Sequence, residues 1–299
     1  MSRLRSPYLG MLLVVLFWGG NFTFTKLAFV DIPPLAFNAV RFTIGSAMLW
    51  LLLQWLEPEG ETPRELWGRL VLLGVVGNTV YQVCFTLGLA RTTATNTSLI
   101  LSAMPTVLTV AAGVLGLEQI TSRQRWALVL ATLGVVTVIA ARGISPAAGD
   151  WTGDLLILGG VACWTGYTLG LRRLSGRLSA LRVTAVTALT GTPGLVLVGL
   201  PSLLGVRWSA VRPTAWSGLA YSTLLSLVAA YIMWSRAVQR LGPSRAALFT
   251  CITPLIATLV AMALLGERPT LAHVLGGGLI IGGVVLGNVS SEFTVQSSK

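Results

Sequence analysis

Trp18 is followed one helical turn later by Asn21, and 146 positions further on Trp164 is followed in the same way by Tyr167. On a helix each pair shares a face. Asn78, Tyr81, Gln82 and Phe85 extend the pattern, because 78, 81 and 85, or 78 and 82, recur on one face at a 3.6-residue period. Ser102 and Thr250 add hydroxyls within a turn of Pro105 and Pro254. The chemistry open to such groups is recognition. Amides and hydroxyls can meet the amine and carboxylate of a small zwitterion, while Trp18, Trp164 and Phe85 offer walls for its side chain and a cation-π face for its ammonium. Each group also has a structural alternative. Large indoles pack between helices, interhelical Asn and Gln bonds contribute only about 1 kcal/mol, and Ser or Thr can bond to the backbone of its own helix. Tyr221, Ser222, Ser226 and Tyr231 are further candidates of lower rank, and Phe22 and Thr168 read as packing residues.

These residues sit in a chain that is apolar almost throughout. Charged residues make up 10% and apolar ones 54%, against roughly 25% charged in soluble domains, so the solvent is a lipid bilayer. Ten stretches are nearly free of charge: 6–29, broken only by Lys26, then 42–56, 70–90, 92–117, 126–141, 155–171, 183–206, 213–235, 246–266 and 269–291. Each is close to the roughly 20 residues a spanning helix needs, the second by taking in Leu35 to Arg41. No period of two runs through them, so a porin-like barrel is the poorer reading. The expected fold is an all-α integral membrane protein of ten transmembrane helices. The first stretch is longer than the roughly 7–15 apolar residues of a signal peptide and no A-x-A-type site follows it, so it is expected to remain as the first helix.

The chain is written twice. Residues 105–118 read PTVLTVAAGVLGLE and residues 254–267 read PLIATLVAMALLGE, 149 positions apart, and a repeat sets the architecture before any single residue does. The expected units are 1–145 and 146–299. Five helices per copy is an odd number, so the second copy enters the membrane from the opposite side and the repeats are inverted, an arrangement found in secondary transporters. Pro105 and Pro254, near the middle of their segments, should kink them, either as moving gates or as fixed bends. Glu118 and Glu267 read as structural caps. Gly278, Gly282, Gly283 and Gly287, with Ala127, Ala131 and Gly134, have the small-xxx-small spacing of close helix packing. Trp234 beside Arg236 reads as an interfacial anchor, and His273, the single histidine, as a loop-edge residue.

With a cytoplasmic N-terminus, fourteen Lys and Arg fall on the inner side and six on the outer, with Arg41 inside the second helix. Both termini are therefore expected inside. The net charge of +11 reflects this bias and the anionic inner leaflet rather than nucleic-acid binding, for which no soluble basic domain exists.

The Trp-Gly near the start of each half, the mid-segment Pro followed thirteen residues later by Glu, and the Gly-rich closing segment together resemble the drug/metabolite transporter superfamily with two EamA-type domains. Within it the chain looks most like YddG-type exporters of amino acids, aromatic ones included. The resemblance runs from about Tyr8 to Asn288. It implies ten helices, a central cavity between the halves, cytoplasmic termini in a bacterial inner membrane and export of small metabolites.

What is missing narrows the cargo. No Asp or Glu falls mid-helix, where a proton-coupled exporter of cationic drugs would bury one. Nucleotide sugars would want several buried cations, and only Arg41 and Lys26 qualify, both expected near the outer surface. A neutral amino acid fits best, moved by rocking of the two halves about a midplane site, with a polyspecific drug or nucleotide-sugar transporter as the alternative. A membrane-embedded enzyme would need clustered His, Asp, Ser or Cys, which one His does not supply. Cys84, Cys163 and Cys251 lie in apolar segments without C-x-x-C or Cys/His spacing, so neither a metal nor another cofactor is expected. Two fused repeats can form a complete pathway, so a monomer suffices.

Overall fold

The computed structural model describes residues 7–115, 122–140, 151–174, 176–242, 246–247 and 249–288, and among these no strand occurs. The first repeat supplies α1 (Pro7–Phe29), α2 (Pro34–Leu56), α3 (Arg64–Arg91), α4 (Ala94–Leu101), α5 (Met104–Val114) and α6 (Ser122–Ala140). The second supplies α7 (Thr152–Arg173), α8 (Ala180–Leu204), α9 (Pro213–Leu241), α10 (Thr253–Leu265) and α11 (Leu271–Asn288). Six of these, α1, α2, α3, α7, α8 and α9, are long and apolar enough to cross a bilayer alone. With α4 and α5 counted as one broken pass, each repeat contributes five passes among the described residues. Leu51, Leu197 and Leu255 face outward along the bundle and Trp55, Trp126 and Trp151 are exposed at helix ends, as a lipid-facing belt with interfacial indoles requires.

The repeats are not two bundles side by side. The largest helix pairings cross between them: α2 on α8, α3 on α7, α1 on α9 and α10, and α6 on α11. The α3–α7 pairing of one repeat's third pass with the other's first recurs inverted as α9–α1.

The prolines do not kink continuous helices. Each pass stops and restarts: Ser102 and Ala103 form a turn before α5, and a 3₁₀ turn over Thr250–Ile252 precedes α10. Pro105 and Pro254 then sit in the first turn of the new segment, where a missing amide costs no helical hydrogen bond and the fixed φ favours the start.

The α6–α11 seam corrects the glycine reading. A Cβ on Gly134 would lie 2.6 Å from the Gly276 carbonyl oxygen, and one on Gly283 would lie 2.7 Å from that of Ala127, whereas Gly278 and Gly282 have nothing within 4 Å. Contact therefore follows Gly276, Ile280 and Gly283, not the Gly278–Gly282 pair, because the side of α11 that meets α6 is set by a seven-residue step. Gly134→Leu should lower stability by about 1–3 kcal/mol through overpacking, read as an earlier thermal transition in detergent, while Gly282→Leu should leave the transition in place.

Candidate functional site

The central feature is two indoles from opposite repeats in contact. Trp18, in the middle of α1, meets Trp164, in the middle of α7, edge to face at 5.8 Å between centroids. Tyr81 lies 4.8 Å from Trp164 and stacks on Phe85, Tyr231 lies 5.3 Å from Trp164 and 6.3 Å from Trp18, and Phe22 meets Phe85 at 5.9 Å. Beside these rings is a cavity of about 70 Å³, room for several waters. Its aromatic lining is Trp18, Phe22, Tyr81, Phe85, Trp164 and Tyr231, its polar lining Asn21, Arg41, Gln82, Ser98, Ser102, Thr250 and Thr253, and Leu101 and Met104 complete it.

Eight of the ten residues expected from the sequence meet here. Asn78 does not: it is fully buried with neither amide atom bonded and packs with its Cβ near Gly191. Tyr167 also stands back from the cavity, behind Trp164, with its hydroxyl 3.4 Å from Thr187 Oγ1. Both lie on the right helices but turn toward α8. Pro105 and Pro254 lie just behind the cavity, one residue beyond the lining Met104 and Thr253.

Two expected placements change. Arg41 is not near the surface. It is 2% exposed and lines the cavity, because α2 starts at Pro34 and carries it two turns into the bundle. Trp234 is not an interfacial anchor: it is 1% exposed and lies 5.3 Å from Trp18, on the inward face of α9.

The most informative irregularity is duplicated. α3 runs through a π segment at Val75–Val80 and α9 through another at Ser222–Ala229. The first ends one residue before Tyr81 and the second two residues before Tyr231, so both lining phenols follow a π segment, as such segments often mark functional sites. The loosened ladder supplies acceptors. Trp18 Nε1 donates to the Ser226 carbonyl at 3.1 Å and Arg41 Nε to the Ser222 carbonyl at 3.0 Å, tying two first-repeat side chains to the second repeat. Gln82 Nε2 donates to the Tyr231 hydroxyl at 2.7 Å, which leaves Gln82 Oε1 without a partner. Ser98 and Ser102 donate to carbonyls of their own helix, Thr95 and Leu99, and Thr250 donates to that of Ala247. Tyr231 was among the lower-rank candidates of the sequence, and Thr253 was within its reach, since the 149-residue offset carries Met104 onto it. The π segments leave no sequence signal.

The sequence pattern of the EamA-like transporter family matches residues 5–140 and again residues 151–289. The chain belongs to that family. A transporter of Bacillus subtilis (strain 168), the uncharacterized YyaM, is 25% identical over 281 residues, 93% of this chain and 92% of that one. A probable terminal-alkyne amino-acid exporter of Streptantibioticus cattleyicolor is 25% identical over 287 residues, 96% of this chain and 94% of that one. A protein of known crystal structure has the same fold, with a TM-score of 0.67 at 18% identity, over 95% of this chain and 98% of that one.

In this EamA-like transporter, polar ties join the repeats at both ends of the bundle. At the end where α4 begins, Gly266 at φ 64° terminates α10 in the left-handed conformation, and the following Glu267 accepts from the Ala94 amide at 2.9 Å, the Thr95 amide at 3.0 Å and Thr95 Oγ1 at 2.7 Å. Glu267 is thus a cap, as expected, but of the other repeat's helix; Glu118 lies outside the described residues. His273, read from the sequence as a loop-edge residue, lies in the first turn of α11 with Nε2 2.8 Å from Asn96 Oδ1, and Thr92 Oγ1 donates to the buried Asp154 at 2.7 Å. Arg212 holds Asp31 at 2.9 Å, which keeps that carboxyl below the usual carboxylate range. At the opposite end Glu65 pairs with Arg177, and Glu57 lies 3.6 Å from Arg182.

Glu267→Ala should leave two amides of α4 uncapped, lowering stability by about 1–2 kcal/mol and speeding amide exchange at Ala94 and Thr95. Because Asp31 has the lower value when folded, its tie to Arg212 contributes at neutral pH and is lost as pH falls through that lowered value. Asp31→Asn should therefore shift the thermal transition at pH 7 and have less effect in acid.

Proposed function

We propose that this chain exports small neutral metabolites, amino acids including aromatic ones, by alternating access at the cavity between its repeats. The observation that carries the reading is the Trp18–Trp164 contact: equivalent residues of two inverted copies meet edge to face, and both line a small aromatic and polar cavity. If the same sequence element forms both walls, exchanging the two repeats' conformations opens the site to opposite sides. The bodies that rock are best drawn across the repeats, α3 with α7 against α1 with α9 and α10, since each set packs within itself beside the cavity.

Three observations support the cargo. The cavity is small, its walls are aromatic, and it carries one cation and no carboxylate among the described residues, which suits a zwitterion better than a cationic drug or a nucleotide sugar. A relative of nearly equal length is named a probable amino-acid exporter. The family and its relatives are named as transporters, which speaks against an enzyme. The distribution of Lys and Arg supports an inner-membrane orientation with both termini cytoplasmic, and 1–145 and 146–299 are the natural units of the duplication.

Uptake of radiolabelled Phe, Met and Thr into proteoliposomes tests the reading. Trp18→Ala and Trp164→Ala, reconstituted in equal amounts, should each cut saturable uptake about 5- to 30-fold by removing an aromatic face. Protein that moves none of the three while carrying a cationic dye would sink the proposal, and comparison with and without a pH gradient would decide the coupling.

A further inference from the structure

Arg41 is a fully charged group in an unusual setting. It is 2% exposed, lines the cavity and is the one charged side chain to do so among the described residues. Its guanidinium cannot shed its proton at any working pH, and a buried charge left unpaired is costly. Yet among the described residues no carboxylate lies within ion-pair distance, and the only hydrogen bond it makes is from Nε to the Ser222 carbonyl. That bond fixes the guanidinium by one edge and its Cζ lies 5.6 Å from the centre of the Phe42 ring, while among the described residues nothing accepts from the Nη1 and Nη2 pair.

The same cavity is lined by a group of opposite character. Gln82 spends its amide N–H on the Tyr231 hydroxyl, so that its buried Oε1 is an acceptor without a donor. The two unmet demands are complementary: a forked cation needs an anion with two oxygens, and a carbonyl oxygen needs an N–H. The repeat does not duplicate this polarity. The position equivalent to Arg41, 146 residues on, is Thr187, which donates to its own helix at the Val183 carbonyl.

We infer that Arg41 is a specificity-determining anchor for a carboxylate, held end-on by its Nη pair, and that Gln82 Oε1 receives the ammonium of the same molecule beside the rings of Tyr81 and Trp164. The ammonium half rests on the amino-acid reading given above; the carboxylate half does not. The cargo class is then an α-amino acid with a free carboxylate, and amides or esters of the same amino acid are rejected because they leave the buried guanidinium unpaired.

The test uses the full chain in proteoliposomes and three probes with the same ring: L-phenylalanine, L-phenylalaninamide and 3-phenylpropionate, each offered as a competitor of labelled phenylalanine and as a labelled substrate. On the unaltered protein, phenylalanine should be carried and phenylalaninamide should compete about 10- to 100-fold more weakly. R41Q should raise the KM for phenylalanine by a similar factor while leaving the weak affinity for the amide unchanged. R41K should recover part of the loss, since an ammonium supplies the charge but not the fork. An amide that competes as well as the acid overturns the carboxylate anchor and leaves the amino-acid reading standing. Carriage of 3-phenylpropionate but not phenylalanine keeps the anchor and overturns the amino-acid reading. Carriage of carboxylate-free compounds alone overturns both. If R41Q does not fold, as its thermal transition would reveal, the competition series on the unaltered protein decides the matter by itself.

Discussion

Inside a bilayer an unpaired amide or carbonyl has no water to turn to, so the backbone must satisfy itself within its own helix or against other protein. Among the described residues the interior of the passes departs from regular helix at the π segments of α3 and α9, each followed by a cavity-lining tyrosine, and at the breaks before α5 and α10, which line the cavity themselves. Each departure is covered by a local solution. Side chains of Trp18 and Arg41 cap loosened carbonyls of α9, Asn38 donates to the Gln82 carbonyl at 3.1 Å just beyond the π segment of α3, and the breaks are placed where proline begins a new helix. The lipid-facing shell can be plain because the irregular backbone is gathered in the middle.

Inversion explains why these features come in pairs. Two copies of one sequence, packed helix against helix, bring Trp18 to Trp164 and set Tyr81 and Tyr231 around them. Where the copies differ, the site acquires a direction. Arg41 against Thr187 places positive charge on one side of a nearly symmetric room, and the Gln82–Tyr231 bond crosses it from the other repeat. Symmetry therefore sets where the cavity lies, and its local breaking sets how a polar guest can be oriented.

The repeat, the helical passes and the aromatic centre were legible because hydrophobicity, an offset of about 149 and the misplaced midplane indoles are all written in one dimension. Depth and rotation were not. Arg41 read as superficial because the charge-free run begins at Phe42, although α2 begins at Pro34 and sinks it. Asn78 and Tyr167 share a face with cavity residues on a regular helix, but the π segment beneath Asn78 shifts that face, and α8 takes up both. Trp234 was assigned to the interface by its neighbour Arg236, when its own side of α9 faces Trp18. Glu267 was recognisable as a cap, but only the fold reveals that the helix it caps belongs to the other copy.

That last contact has a consequence for how the chain is made. The amide of Ala94 is capped by a residue 173 positions further along. At roughly 5–20 residues per second, the start of α4 leaves the ribosome about 10–35 s before its cap exists. During that interval the first repeat sits in the membrane with exposed amide donors at one helix end, and its companion for α1, α9, is not yet complete. The first five passes thus form a waiting half that the second half must find and lock, so the translation of residues 150–267 is also the step that finishes the first repeat.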